Sequence, residues 1–582
     1  MLQRICRAVR LLCEQFGSVD MSLLPLARGW ISENEKQPLS GDEASCRQDS
    51  WAANGGRHRA RLLVFLALTA AALLSLLSLA LPSLLIVQAP YDIYIPLDAG
   101  LRWLDGVMPS RDYPSPIGPL YALIHGTMLS FDSTDPRSLV RADVLVLGVT
   151  YVLLWPVMRG IDKAACASII LLLAAVMMTP LALDAVWISY RYVADYNRWC
   201  WGLFNVAMIW TWNPQARDRL CQFALALALC GLFYLKLTMF AGAIGCLALA
   251  WICDRRSEHY ILPAIILLAA IVAGWVAGFV LPYLTDNIAA GYATGSLRLE
   301  KLLDQLVAPY NAVPTTLAVL ASFLRRISLK RRLLLLGSIM LLHLTAMQNF
   351  DVMIPLIAVP LLLLALDLPR GATGRWQLFT LRVPAYVEAI GLFLVAAVAL
   401  ALQPSLCVAA HVRPTGQPGT IGARIVMPMG SSTGYQADGD LPFANSIVHL
   451  QIEKAAELTA LLPLGSRVAS VETSNIALTA WPHVRPSEGA LLWYDEYRTF
   501  SENFYLRPEQ AFRGADAVLL PLHFPRRSTQ HLAALYRPWI ERCAIRIAAN
   551  DLWELYVPRL IGTCGAHPAQ DGSISEGQWI IK

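Results

Sequence analysis

The sequence predicts a polytopic α-helical membrane protein of about eleven crossings that ends in a small α/β domain. Three observations predict it. The 582 residues are 56% hydrophobic and only 15% charged, with a positive mean hydropathy, which is far from the balance of a soluble globular chain. Apolar runs close to the roughly 20 residues that span a bilayer recur from near Leu62 to about residue 403. Past Ser405 the composition returns to that of an ordinary soluble domain.

Residues 1–60 are polar, with Gly, Ser, Asn and scattered charges, and read as a poorly ordered cytoplasmic tail. The first apolar run, from near Leu62 to about Gln88, is long enough to span and starts too late for a signal peptide, so it is expected to stay as an anchor. Met21 is an alternative start. Further runs lie near 139–158, 164–183, 199–213, 220–235, 238–253, 260–283, 306–324, 333–346, 352–366 and 384–403. Together they define a membrane domain over 61–404 and leave 405–582 outside.

Lys and Arg set the orientation, because they collect in cytoplasmic loops. They crowd alternate loops: Arg57, Arg59 and Arg61; Arg159 and Lys163; Arg217 and Arg219; Arg255 and Arg256; Arg325 to Arg332; Arg370 to Arg382. The N-terminus is therefore expected in the cytoplasm. Loops 89–136, 184–198 and 284–305, the turn Gln348–Asp351 and the tail 405–582 then face outside. In the tail, a helical run Ser446–Leu462 passes through Gly465 into strand-like Arg467–Val471, and a second strand is expected over Ala517–Leu522.

The 12 cysteines show no CxxC or paired Cys/His spacing, so no metal centre is expected from them. Cys407, Cys543 and Cys564 fall outside the membrane, where a Cys543–Cys564 disulfide is expected. The net charge of +5 matches basic loops against anionic lipid and gives no case for nucleic acid.

Function is expected in the first outer loop, where YDIYIPLDAGLRWLDGVMPSRDYPSPIGPLY places four carboxylates, Asp92, Asp98, Asp105 and Asp112, in an otherwise nearly uncharged region. A short interfacial helix is expected from Pro96 to Gly106, with Asp98, Arg102 and Asp105 sharing one side at helical spacing. A second is expected from Gly118 to about Ser130, after the stiff turn of Pro114, Pro116 and Pro119. In the second outer loop Arg191 and Arg198 flank Asp195, and Lys236 ends an apolar run, so all three cations are candidates for holding a phosphate. Tyr196 stands beside them as a binding candidate. Plainer readings stand next to each. Asp98 can be a charge at a helix start, Asp112 a turn residue paired with Arg111, Lys236 a snorkelling side chain, and Arg198, Tyr196, Trp199 and Trp201 part of an interface belt.

An outer-loop Asp, a short helix ending in Gly, PSRDY and PIGPLYAL together resemble the first periplasmic loop of GT-C glycosyltransferases, the polytopic family that includes protein O-mannosyltransferases and lipid A aminoarabinose transferases. The YNRW run at 196–199 is similar to bacterial members. The resemblance implies a polytopic GT-C-like fold in a bacterial inner membrane, with the outer loops and the C-terminal domain in the periplasm. It also implies transfer of a hexose or pentose from a polyprenyl-phosphate carrier to a glycan, lipid or protein acceptor, with Asp98 as the base that activates the acceptor. Ala99 stands where the family usually has Glu, which leaves Asp92 and Asp105 as substitutes. Such transfer needs no metal, while a carboxylate-held divalent cation stays open as an alternative. Two other classes compete: a transporter or lipid flippase, and a non-catalytic subunit of an envelope-assembly complex.

Overall fold

The computed structural model describes residues 62–76, 94–133, 137–178, 195–254, 258–294, 328–346, 441–489, 499–522 and 527–559 apart from single positions, with short pieces elsewhere. Asp92, Arg191, Cys407, Cys564 and the expected crossings at 352–366 and 384–403 lie outside these residues.

After α1 (Leu62–Leu76), the outer-loop sequence forms α2 (Tyr94–Leu104) and α3 (Pro119–Leu129). Pro119 opens α3 at the first helical position, where a missing N–H is harmless. Pro96 falls two residues inside α2, because the helix begins at Tyr94 and its first turn needs no intrahelical donors. The bundle continues through α4 (Arg137–Val157), α5 (Lys163–Met178), α6 (Asp195–Trp212), α7 (Arg219–Leu235), α8 (Leu237–Asp254), α9 (Glu258–Val276), α10 (Val280–Thr294) and α11 (Leu329–Ala346). The Asp218 side chain caps α7 by accepting from the Cys221 N–H at 2.8 Å.

Two helices among the described residues, α4 and α9, are long and apolar enough to cross a bilayer, and α1, α7 and α8 are shorter apolar helices. The surface shows which solvent they face. On the 19-residue α9, about 28 Å long at 1.5 Å per residue, Ile261, Ile265, Leu268, Val272 and Trp275 all stand exposed. Phe65, Leu66, Val152 and Trp155 do the same on α1 and α4. An apolar surface this continuous is stable against lipid and not against water, so the chain is a polytopic membrane protein. α6 occupies the centre: Trp199, Phe204, Val206, Met208, Ile209 and Trp210 are all buried, and so are Asp195, Asn197, Arg198 and Asn205. Trp199 and Trp201, expected in an interface belt, are inside the bundle instead.

The C-terminal part is a three-layer sandwich. Its sheet contains β1 (Ser466–Ser470), β2 (Val484–Pro486), β3 (Ala517–Pro521), β4 (Ala544–Ala549) and β5 (Trp553–Pro558), in the order β2-β1-β3-β5-β4. β1 pairs in parallel with β2 and β3, with Val468 opposite Ala517, and β5 runs antiparallel to β3 and β4. Alternate residues enter opposite layers, as the pleat requires. Val468, Leu519 and Leu555 pack with Ala455 and Leu458 of α12 (Leu441–Thr459). Ala469, Val518, Leu520 and Tyr556 pack with Leu532, Tyr536 and Ile540 of the later helix Arg527–Cys543. Gly465, at φ 86°, makes the left-handed turn between α12 and β1 that the LPLGSRVAS pattern predicts. Cys543 is disulfide-bonded. Between β1 and β2 a single 3-10 turn, Ile476–Ala480, places Ile476, Ala477 and Leu478 in the same buried cluster as Leu97 and Leu101 of α2. The sandwich thus sits on the outer-loop helices.

Candidate functional site

Tyr94, Asp98 and Arg102 lie four residues apart on α2 and form one stripe along the helix. The expected solvent-facing polar side of this helix is buried: Tyr94 is 0%, Asp98 3% and Arg102 1% exposed. The cover comes from the sandwich. Arg102 Nε donates to Asp98 Oδ2 at 2.7 Å, and its Nη1 donates to the Gly489 carbonyl at 2.6 Å. The guanidinium also lies over the Tyr113 ring, 4.7 Å from the centroid. A charge pair this deep is tolerated when both partners are hydrogen-bonded.

Asp98 opens into a small cleft lined by Tyr94, Tyr113, Ser115, Tyr121, Ser474 and Asn475 with a few apolar neighbours. Its volume is about 20 Å³, a little above the ~10–15 Å³ that seats one water. Asp98 Oδ1 and the Tyr94 hydroxyl are buried and have no hydrogen-bond partner of normal geometry among the described residues. Burial pushes the Asp98 carboxyl above its ordinary value of 3.8, against the opposing pull of the Arg102 charge and hydrogen bond and of the Asn475 side chain. One carboxylate oxygen held by a cation, the other facing a cleft with the Asn475 side chain beside it, is an arrangement that can accept a proton.

The other described loop carboxylates, Asp105 and Asp112, have separate partners. Asp105 meets Arg485 of the sandwich at 3.3 Å. Asp112 closes a turn: its Oδ2 accepts from the Met108 N–H at 2.7 Å and pairs with Arg111 at 2.7 Å. Burial acts to raise its carboxyl, but the Arg111 and Met108 hydrogen bonds outweigh it and hold Asp112 below the usual value. Since Arg485 is 48% exposed, the Asp105 pair is worth no more than ~1 kcal/mol. Asp105→Asn is therefore expected to leave both the melting temperature and any turnover close to wild type; a loss above tenfold would give Asp105 a role at the site.

Behind the cleft lies a buried polar network. Tyr121, which lines the cleft, donates its hydroxyl to Asp195 Oδ1 at 2.7 Å. His125, one turn along α3, places Nε2 2.9 Å from Asp195 Oδ2 and stacks on Trp199 at 5.0 Å. Trp199 Nε1 donates to Asp143 Oδ1 at 2.7 Å, and Arg198 reaches Asp143 at 3.7 Å and the Met177 carbonyl at 3.0 Å. Lys236 is the single extended residue between α7 and α8. Its Nζ donates to Asn197 Oδ1 and lies 5.0 Å from the Tyr196 ring centroid, and that ring meets Tyr121 edge-on at 5.6 Å. Among the sequence-expected residues, Lys236 and Tyr196 therefore come together one aromatic ring from the cleft, while Arg198 serves the network with Asp143.

Sequence reasoning missed Tyr94, Tyr121, His125, Asp143 and Asp286. Asp286 of α10 is buried and its Oδ2 accepts from the Ser115 N–H at 2.8 Å, pinning the Pro-rich turn that walls the cleft. Burial pushes this carboxyl up to about 7. The spacing of Tyr121 and His125, and of Tyr94 and Asp98, was a visible signal for the α2 and α3 stripes. Nothing local marked Asp143 or Asp286.

No protein-family model and no curated protein sequence matches the chain. Among solved structures it is similar to the arabinofuranosyltransferase AftD from Mycobacteria, at 15% identity and a TM-score of 0.40, over 87% of this chain and 40% of that one. It is also similar to ArnT from Cupriavidus metallidurans bound to undecaprenyl phosphate, at 11% identity and a TM-score of 0.37, over 87% of this chain and 99% of that one. The chain thus spans less than half the length of the mycobacterial protein.

Proposed function

We propose that the chain is an integral membrane glycosyltransferase of GT-C type, which moves a sugar from a polyprenyl-phosphate carrier to a hydroxyl acceptor with Asp98 as general base. The observation that carries this reading is the buried Asp98 carboxylate, fixed by Arg102 through one oxygen and opening into the cleft with the other. The acceptor oxygen attacks the anomeric carbon, its proton passes to Asp98, and the bond to phosphate breaks with its electron pair on the leaving oxygen. Phosphate is already a fair leaving group, so the protein has to supply a base and cationic support. Lys236 is the cation we assign to the departing phosphate, because Tyr196 and Tyr121 connect it to the cleft wall. In this reading the site, the outer loops and the sandwich face the periplasm of a bacterial inner membrane. The sugar enters on its lipid carrier from the bilayer, and the acceptor is a glycan, lipid or protein of the cell envelope.

Purified protein in liposomes, given a panel of labelled polyprenyl-phosphate sugars, is expected to release or transfer at least one of them. Folded wild type that consumes none would move the transporter and scaffold readings ahead. The same assay carries a pH test. A base must be ionised, so turnover falls as pH drops through the pKa of Asp98, and that limb lies above the ordinary carboxylate value of 3.8. Stability runs the other way. A folded-state pKa raised above 3.8 means that the contribution of Asp98 is fully present below 3.8 and is lost as pH rises through its raised value. Asp286 acts with the same sign between 3.8 and about 7. An activity limb at or below pH 3.8 would remove Asp98 as the base.

A further inference from the structure

Besides Asp98 Oδ1, the cleft holds three buried polar atoms without a hydrogen-bond partner among the described residues, the Tyr94 hydroxyl, Ser474 Oγ and Asn475 Oδ1, and Tyr94 is the one that shares the α2 stripe with Asp98. Tyr94 is fully buried, lines the cleft one helical turn before Asp98, and carries a hydroxyl without a hydrogen-bond partner among the described residues. Burying a hydroxyl without a partner costs stability, and phenylalanine would fill the same space without that cost. Folding alone therefore gives no reason for a tyrosine here. The cleft has room for one oxygen-sized occupant, and the two unengaged groups along α2 offer it a donor and an acceptor.

We propose that Tyr94 is a second catalytic residue, whose hydroxyl holds the attacking oxygen of the nucleophile while Asp98 Oδ1 takes its proton. This rests on the glycosyl-transfer reading and adds to it the group that orients the attack. The acceptor oxygen accepts the Tyr94 hydrogen bond through one lone pair and attacks the anomeric carbon with the other. Its proton moves to Asp98, the carbon–phosphate oxygen bond breaks, and Tyr94 keeps its own proton throughout. Burial pushes the Tyr94 phenol upward from 10.0, so it remains a donor at every working pH. Water fits the same place, so the site hydrolyses the donor when no acceptor is present, giving free sugar and polyprenyl phosphate.

The test uses Tyr94→Phe in full-length protein, reconstituted with the labelled polyprenyl-phosphate sugar that wild type consumes. Donor consumption is expected to fall about ten- to hundredfold, the size of one lost hydrogen bond in a buried site, through kcat, with the KM for donor unchanged. The melting temperature is expected to stay level or rise, since an unengaged hydroxyl has been removed. A structural tyrosine would behave oppositely: a lower melting temperature, or turnover equal to wild type, overturns the assignment. A wild type that consumes no donor at all overturns the glycosyl-transfer reading and this proposal together, whereas an active wild type with an equally active variant removes Tyr94 alone.

Discussion

Asp98→Asn is expected to lower donor turnover by two to four orders of magnitude, the range expected for loss of a positioned general base. The substitution keeps the shape of the side chain and an oxygen for Arg102 Nε, so the 2.7 Å contact survives in form. What it removes is the negative charge and the capacity to bind a proton. Arg102 keeps the Gly489 carbonyl and a neutral amide oxygen as acceptors. Because burial raises the Asp98 carboxyl, the fold already favours its neutral form, so a neutral amide is not expected to lower the melting temperature. A loss of turnover at an unchanged midpoint therefore reports the missing base. Retention of more than a tenth of wild-type turnover would make Asp98 a structural ion-pair partner and turn attention to Asp92 and Asp105.

The second large effect is expected at Gly118. Its φ of −67° suits any residue, so the demand is for space. A Cβ added there would stand 1.9 Å from the Tyr234 carbonyl oxygen and 2.4 Å from its carbon. Both are backbone atoms and cannot rotate away. The Gly118 N–H also donates to the Leu235 carbonyl at 3.0 Å, at the break before Lys236. Gly118→Ala must displace either the start of α3 or the end of α7, at a cost of about 3 kcal/mol and with loss of one hydrogen bond. Fluorescence-detected size exclusion after solubilisation should show a smaller monodisperse fraction and an earlier thermal transition than wild type. Wild-type yield with an unchanged midpoint would mean that the approach of α3 to α7 is looser than these contacts indicate.

Some of this is visible in the sequence because it depends on neighbours in the chain. Apolar runs such as those near 139–158 and 220–235, the Pro119 start of α3 and the Gly465 turn follow from local pattern, and their bounds shift by only a few residues in the structure: the helix read as Ser446–Leu462 is Leu441–Thr459. The surroundings of Asp98 are not local. Periodicity placed Asp98 and Arg102 on one side of a helix, but nothing in the loop announces that Ser474, Asn475 and Gly489 cover that side. The same limit hid Asp286, which is 171 residues from the Ser115 it holds. It also misassigned Trp199: a tryptophan beside an arginine reads as an interface anchor until Asp143, 56 residues earlier, supplies its indole with an acceptor. Polar side chains of the bundle interior are chosen by partners that only the fold brings near.

The Arg102–Gly489 hydrogen bond joins residues 387 positions apart, which sets an order of events in biosynthesis. During membrane insertion α2 emerges early, with Asp98 and Arg102 open to water and lipid headgroups. The strand and turn that enclose them leave the ribosome only after the helices of the bundle have been made. An immature chain therefore carries the carboxylate without its enclosure. The enclosure is complete only when the sandwich docks, so under the proposed function the site becomes competent last.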